Sequence, residues 1–173
     1  NVEKIDVTNG KATGLLVNNK IITAEVILSG ADYHHSETLL DEKYRQYSEK
    51  YWENKIFAPS SLLFYVGFDK KIENVEHHSL FFDVDFDIHA EAIYDNPKWP
   101  EEPLFYASFP SKTDENSAPK GNEAGIFLIP LAPGLEDTNE LRELYFEKII
   151  TRLEQLTNQS VKNNIIFKES FCV

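Results

Sequence analysis

Five histidines, one cysteine and a run of alternating aspartates are the residue types in this chain that could carry chemistry. The histidines fall as His34-His35, His77-His78 and a lone His89. Adjacent side chains on a strand point to opposite faces, and on a helix they also diverge, so neither pair turns two rings toward one metal ion. No cysteine or further histidine stands at ligand spacing from either pair. Proton transfer by His77 or His78 stays open. Asp83-Val84-Asp85-Phe86-Asp87 has the acidic alternation that opens a calcium loop. Such a loop needs glycine at its sixth position and glutamate at its twelfth; here Ile88 and Tyr94 stand there. The run reads instead as the acidic start of a helix, where carboxylates meet the positive end of the dipole. Cys172 has no histidine near it in sequence, and neither a G-x-S-x-G elbow nor a G-x-G-x-x-G phosphate loop occurs. Residues alone name no catalytic side chain and no metal site.

The whole chain bounds what those residues can serve. Its 173 residues are 42% hydrophobic and 13% aromatic, enough for the core of one ordinary domain. The net charge of -12 argues against nucleic acid and against electrostatic attachment to an anionic membrane. A single cysteine allows no intrachain disulfide and fits a reducing compartment. Asn158-Gln159-Ser160 matches a glycosylation triplet of a kind that arises often by chance. No apolar run approaches the ~18 residues of a membrane helix. A chain without methionine that opens on Asn-Val-Glu reads as a piece of something longer.

Val2 to Leu28 predicts three or four short strands turning at Asn9-Gly10 and Asn18-Asn19, with Val26–Leu28 as a strand buried on both faces. Asp32 to Asn54 carries Leu39, Leu40, Tyr44, Tyr47, Tyr51 and Trp52 at helical spacing, capped by Ser36 or Asp41 and broken near Asp41. Ser60–Phe68 reads as a central strand, with Gly67 marking a bulge or close backbone approach. His77 to Phe82 reads as a strand and Asp83 to Asp95 as a short helix. The stretch Pro103 to Pro133 holds two strands, Leu104–Phe109 and Ile126–Leu131, around a long polar loop. Asp137 and Glu140 form a capping box for the clearest helix, whose apolar face is Leu141, Leu144, Tyr145, Ile149, Leu153 and Leu156. Ile165–Phe167 and Phe171–Val173 predict a last strand. The fold class is α+β: a mostly antiparallel sheet with helices on one face and a small N-terminal β meander.

Three blocks together resemble the phytoene desaturase family, whose close relatives are carotenoid isomerases and retinol saturases. They are Val26-Ile27-Leu28-Ser29-Gly30-Ala31-Asp32; Ser60–Phe68 followed by His77-His78-Ser79-Leu80-Phe81-Phe82; and Tyr106-Ala107-Ser108, Pro110-Ser111-Lys112-Thr113-Asp114, Ala118-Pro119-Lys120-Gly121 with Leu128-Ile129-Pro130. The set covers nearly the whole chain. The resemblance implies an FAD-dependent, amine-oxidase-like oxidoreductase acting on the carbon–carbon bonds of an apolar polyene or isoprenoid. It also implies that both main FAD segments lie outside these residues. Residues 1–30 would then be a remnant of the FAD-binding half, and 31–173 a truncated substrate domain, inactive alone. The family's substrate calls for an apolar wall. Phe64, Tyr65, Phe68, Phe81, Phe105 and Phe109 are its expected lining, and Ser29 and Gly30 the expected cofactor neighbours. Isomerisation or saturation of the same kind of substrate stays open, as does a standalone module that binds an apolar ligand or a protein. The whole protein is expected in the cytoplasm, meeting a membrane only when full-length, and the piece alone is expected to self-associate through exposed apolar surface.

Overall fold

Asn9, Asn18 and Asn19 hold φ of 52°, 50° and 59°, and Gly10 holds 77°. Two-residue hairpins require this left-handed backbone, which asparagine and glycine tolerate. In the computed structural model, which describes residues 1–55, 57 and 59–172, these turns join β1 (Val2–Thr8), β2 (Lys11–Val17) and β3 (Lys20–Thr23) into the expected antiparallel meander. The chain divides into two compact units, Asn1–Ile56 and Phe57–Val173.

In the first unit the strand expected over Val26–Leu28 does not form. Val26 and Leu28 are 84% and 94% exposed. A strand buried on both faces needs a neighbour on each side, and the unit's sheet ends at β3. The aromatic stripe that follows is shorter in helix than its spacing predicts. It yields α1 (Tyr33–Thr38), a single 3-10 turn at Glu42–Tyr44, and α2 (Glu49–Trp52). Asp32 caps α1, where Ser36 or Asp41 was expected, and Ser48 caps α2. Buried Glu37 explains the break. Its carboxylate accepts from the backbone N–H of Gln46 and Tyr47, at 2.5 and 3.3 Å, and from Trp52 Nε1 at 3.1 Å. Backbone donors held by a side chain leave the helical ladder. Tyr47 and Tyr51 then stack at 4.1 Å between ring centroids, beside Trp52.

The second unit is built on a five-stranded antiparallel sheet. Its strands are β4 (Ser60–Phe68), β5 (His78–Phe81), β6 (Phe105–Ser108), β7 (Glu123–Leu131) and β8 (Ile165–Cys172), in the order β5-β6-β7-β4-β8. Ser60–Phe68 is interior, as its unbroken apolar run predicts. Gly67 fulfils both of its expected roles. The register with β8 shifts between Gly67 and Phe68, and a Cβ on Gly67 would lie 3.2 Å from that of Phe167. The two C-terminal pieces of strand are one, continuous from Ile165 to Cys172; Val173 lies outside the described residues.

Two helices pack on this sheet: α3 (Phe86–Tyr94) and α4 (Asn139–Thr157). Thr138, not Asp137, caps α4, accepting from Leu141 N–H at 3.2 Å. Asp137 is freed to pair with Arg142, which holds its carboxyl below the usual range. The buried face of α4 is Tyr145, Phe146, Ile149, Ile150 and Leu153. Leu144 and Leu156, expected on that face, are half exposed at 50% and 48%. Tyr145 donates to the carbonyl of Pro100 at 2.6 Å, and burial pushes its phenol up to about 12.

His89 of α3 ties that helix to the sheet. Its Nδ1 accepts from Leu104 N–H at 2.9 Å, so the ring proton sits on Nε2, 2.9 Å from the carbonyl oxygen of Pro130. Protonating Nδ1 would set two donors against each other. Burial accordingly depresses the pKa, opposed by the Pro130 bond and aided by Arg152. The unfolded chain binds this proton first as pH falls through about 6.5, so folded-state stability drops below that value and levels off under the folded pKa. Chemical denaturation at about pH 7 and about pH 5 checks this. Wild type should lose more stability on acidification than His89→Gln, whose amide can donate and accept without titrating.

Candidate functional site

Pairing in the sheet fixes which side chains share a face, because directly opposed residues point the same way. One face carries Leu62, Phe64, Val66 and Phe68 of β4, Phe127, Ile129 and Leu131 of β7, Phe105 and Ala107 of β6, and Phe81 of β5. All are buried, and α4 covers them: the Phe64 and Phe146 rings meet at 5.0 Å. Phe105 stacks on Phe81 at 4.5 Å, and Phe109 meets Phe127 edge-on at 5.8 Å.

The other face carries no described helix of the second unit and is mostly apolar. Register sets Leu80, Tyr106, Leu128, Leu63 and Phe171 in one row across all five strands. The next row is His78, Ser108, Ile126, Tyr65 and Glu169. Leu80 is 67% exposed, Phe171 47% and Tyr65 40%. Tyr65 and Phe171 meet edge-on at 5.8 Å. Four strand spacings make each row about 19 Å wide.

The expected lining residues therefore separate. Phe64, Phe68, Phe81, Phe105 and Phe109 are buried in the core, with their rings taken up by packing, and Tyr65 stands on the open face. Sequence could not make the split, since Leu62-Leu63-Phe64-Tyr65-Val66 is apolar on both alternating sets. Ser29 and Gly30 lie in the first unit, beside a concavity of about 570 Å³ that also includes Ile5, Leu15 and Leu39. Ser29 Oγ is 2.6 Å from Ser36 Oγ, and the space around Gly30 is open.

The loop between β6 and β7 is held by a buried carboxylate that sequence did not single out. Glu123, at the start of β7, accepts from Ser111 Oγ and from Ile72 N–H at 3.2 Å, and pairs with Lys71 and Lys112 at 3.4 and 3.5 Å. Lys112 also donates to the carbonyl of Ile72. Asp114 caps a turn by accepting from Asn116 N–H at 2.9 Å, and Gly121 takes φ 88°. Asp114 and Gly121 thus serve as turn residues, with Ser111 and Lys112 clamped by Glu123.

The acidic run is likewise structural. Asp85 caps α3, accepting from Asp87 N–H at 2.9 Å, and Asp83 pairs with Arg152. The His77-His78 pair is placed differently. His77 Nδ1 lies 2.6 Å from Thr113 Oγ1, and His78 Nδ1 lies 2.6 Å from Tyr106 Oη on the open face.

No protein-family model matches the chain. It is 40% identical to the carotenoid 3,4-desaturase of Haloarcula japonica over 150 residues, 86% of this chain and 30% of that protein. Over most of its length the chain is thus similar to carotenoid and phytoene desaturases. It is 30% identical over 132 residues to the zeta-carotene-forming phytoene desaturase of Myxococcus xanthus, 75% of this chain and 25% of that protein. The chain spans under a third of the length of either protein. Among solved structures it is similar to an oxidoreductase from Methanosarcina mazei, with a TM-score of 0.60 over 99% of this chain and 36% of that one. Identity there is 15%, so this likeness concerns the fold. Among the described residues of the chain, no helix is long and apolar enough to cross a membrane.

Proposed function

We propose that this chain is the substrate-binding part of an FAD-dependent oxidoreductase that acts on carbon–carbon bonds of an apolar polyene, a phytoene dehydrogenase-like carotenoid desaturase, and that it is inactive alone. The relationship to the carotenoid 3,4-desaturase over 86% of the chain carries this reading. The open sheet face supports it. A hydrocarbon polyene offers no charge and few hydrogen-bonding atoms, so it is held by apolar area and shape. Leu63, Tyr65, Leu80, Ile126, Leu128 and Phe171 supply one wall of that kind. On this reading Tyr65 touches the substrate, and the five buried phenylalanines hold the wall flat from behind. Residues 31–173 belong to the substrate domain, and residues 1–30 to the cofactor half.

FAD supplies the redox step in the whole protein. Ser29 and Gly30 are its proposed neighbours from this chain, with open backbone at Gly30 for close approach. The 173 residues contain no glycine-rich phosphate cradle, so no redox step falls to them. The whole protein works in the cytoplasm, at a membrane that holds its apolar substrate. The chain alone self-associates through its uncovered face and strand edges.

FAD titration tests the division of labour. The chain alone should retain no flavin absorbance after gel filtration, while the whole protein retains it and shifts a polyene's absorption to longer wavelength. A stoichiometric yellow complex of the chain alone, or a flavin-loaded whole protein that leaves the polyene spectrum unchanged, contradicts the proposal.

A further inference from the structure

Besides Ser108 and Glu169, the open face carries a hydrogen-bonded polar pair that neither the fold nor the apolar wall requires. His78 is on the edge strand β5 and Tyr106 on β6, and their Nδ1 and Oη atoms are 2.6 Å apart. Tyr106 lies between the apolar Leu80 and Leu128 in its row, and in the row of His78 the small Ser108 stands next to it with Ile126 beyond. The His77 ring, 4.2 Å from that of His78 and bonded to Thr113, braces the imidazole from the side.

The chemistry of the pair is independent of how its proton is placed. If Tyr106 donates to Nδ1, the proton of neutral His78 is on Nε2 and points outward, while the phenol oxygen keeps a lone pair. If Nδ1–H donates to the phenol oxygen, the Tyr106 hydroxyl proton is free and Nε2 accepts. Either arrangement leaves one donor and one acceptor unused. Among the described residues no side chain or backbone group bonds either of them further. A carbonyl oxygen needs the donor alone, and a hydroxyl uses both. A purely hydrocarbon ligand lying over the pair would leave both groups shielded from water without partners, which costs binding.

We propose that His78 and Tyr106 form a specificity site for a ligand oxygen, so that the substrate is a polyene whose end carries a hydroxyl or carbonyl group, not a plain hydrocarbon. This rests on the open face being the polyene wall. The test uses two polyene probes of equal length, one ending in a hydroxyl and one in hydrogen, titrated into the chain and followed by the polyene's own absorption band. Wild type should bind the hydroxyl probe about three- to tenfold more tightly, the net worth of one hydrogen bond. The double variant His78→Leu, Tyr106→Phe should lose that preference and still bind the hydrocarbon. Equal wild-type affinity for the two probes, or a preference that survives in the double variant, overturns the specificity site and leaves the wall standing. Failure of both probes to bind overturns both. The wild-type comparison decides even if the double variant does not fold.

Discussion

Glu123→Ala is expected to destabilise the second unit by about 3–5 kcal/mol, the usual cost of removing one partner from a buried charged network. The carboxylate side chain is fully buried. Its removal leaves the buried Ile72 N–H without an acceptor and deprives Ser111 of one. It also removes the carboxylate beside Lys112, whose side chain is only 24% exposed and keeps just its bond to the Ile72 carbonyl. Glu123→Gln should cost less, because its amide oxygen, placed on the Oε2 side, still accepts from Ile72 N–H while the amide nitrogen takes the Oε1 side beside the Ser111 hydroxyl. Glu143→Ala is the contrast. Glu143 also pairs with a lysine, Lys168, but is 60% exposed, and exposed pairs contribute about 0–1 kcal/mol. Urea denaturation of the three variants orders them. A Glu123→Ala protein as stable as Glu143→Ala would show that the network does not hold the loop to the sheet.

What was legible in the sequence was what local chemistry decides. Asn9-Gly10 and Asn18-Asn19 predicted their hairpins because few other residues accept that backbone. Gly67 predicted its own bulge and close approach. The interior place of Ser60–Phe68 followed from a run too apolar for an edge. Features set by distant partners were not legible. Asp137 lost the cap to Thr138 because Arg142 claims its carboxylate. The aromatic stripe broke because Glu37 reaches the backbone of Gln46 and Tyr47. Val26–Leu28 is as apolar as a buried strand, but a strand needs neighbours, and these residues provide none for it. The candidate site was half legible. That the two strands within Pro103–Pro133 pair followed from their pattern, and the resemblance alone implied that such strands could line an apolar wall. Which face is open could not be read from β4, apolar on both sides; Phe146 and Ile150 of α4 pack into the core on the other. His78 and Tyr106 stand 28 residues apart and meet only through the β5–β6 register.

Leu128→Glu should abolish polyene binding with little change in stability. Leu128 lies mid-row on the open face, opposite Leu63 on β4 and Tyr106 on β6. It is half-buried among side chains that already meet solvent, so a carboxylate there keeps its hydration in the free protein. Under an apolar ligand the same carboxylate would lose that hydration without a partner, costing several kcal/mol, so affinity should fall at least about tenfold. Phe64→Leu, on the covered face of the neighbouring strand, reverses the pattern. It leaves space against Phe146 and lowers stability by about 1–3 kcal/mol, while the open face and its ligand are untouched. The deciding measurement is titration of a hydrocarbon polyene into wild type, Leu128→Glu and Phe64→Leu, each confirmed folded, with the affinity read from the polyene absorption band. Binding by wild type and Phe64→Leu but not by Leu128→Glu is the predicted result. Binding lost in Phe64→Leu and kept in Leu128→Glu would place the substrate on the other side of the sheet and contradict the open face as its wall.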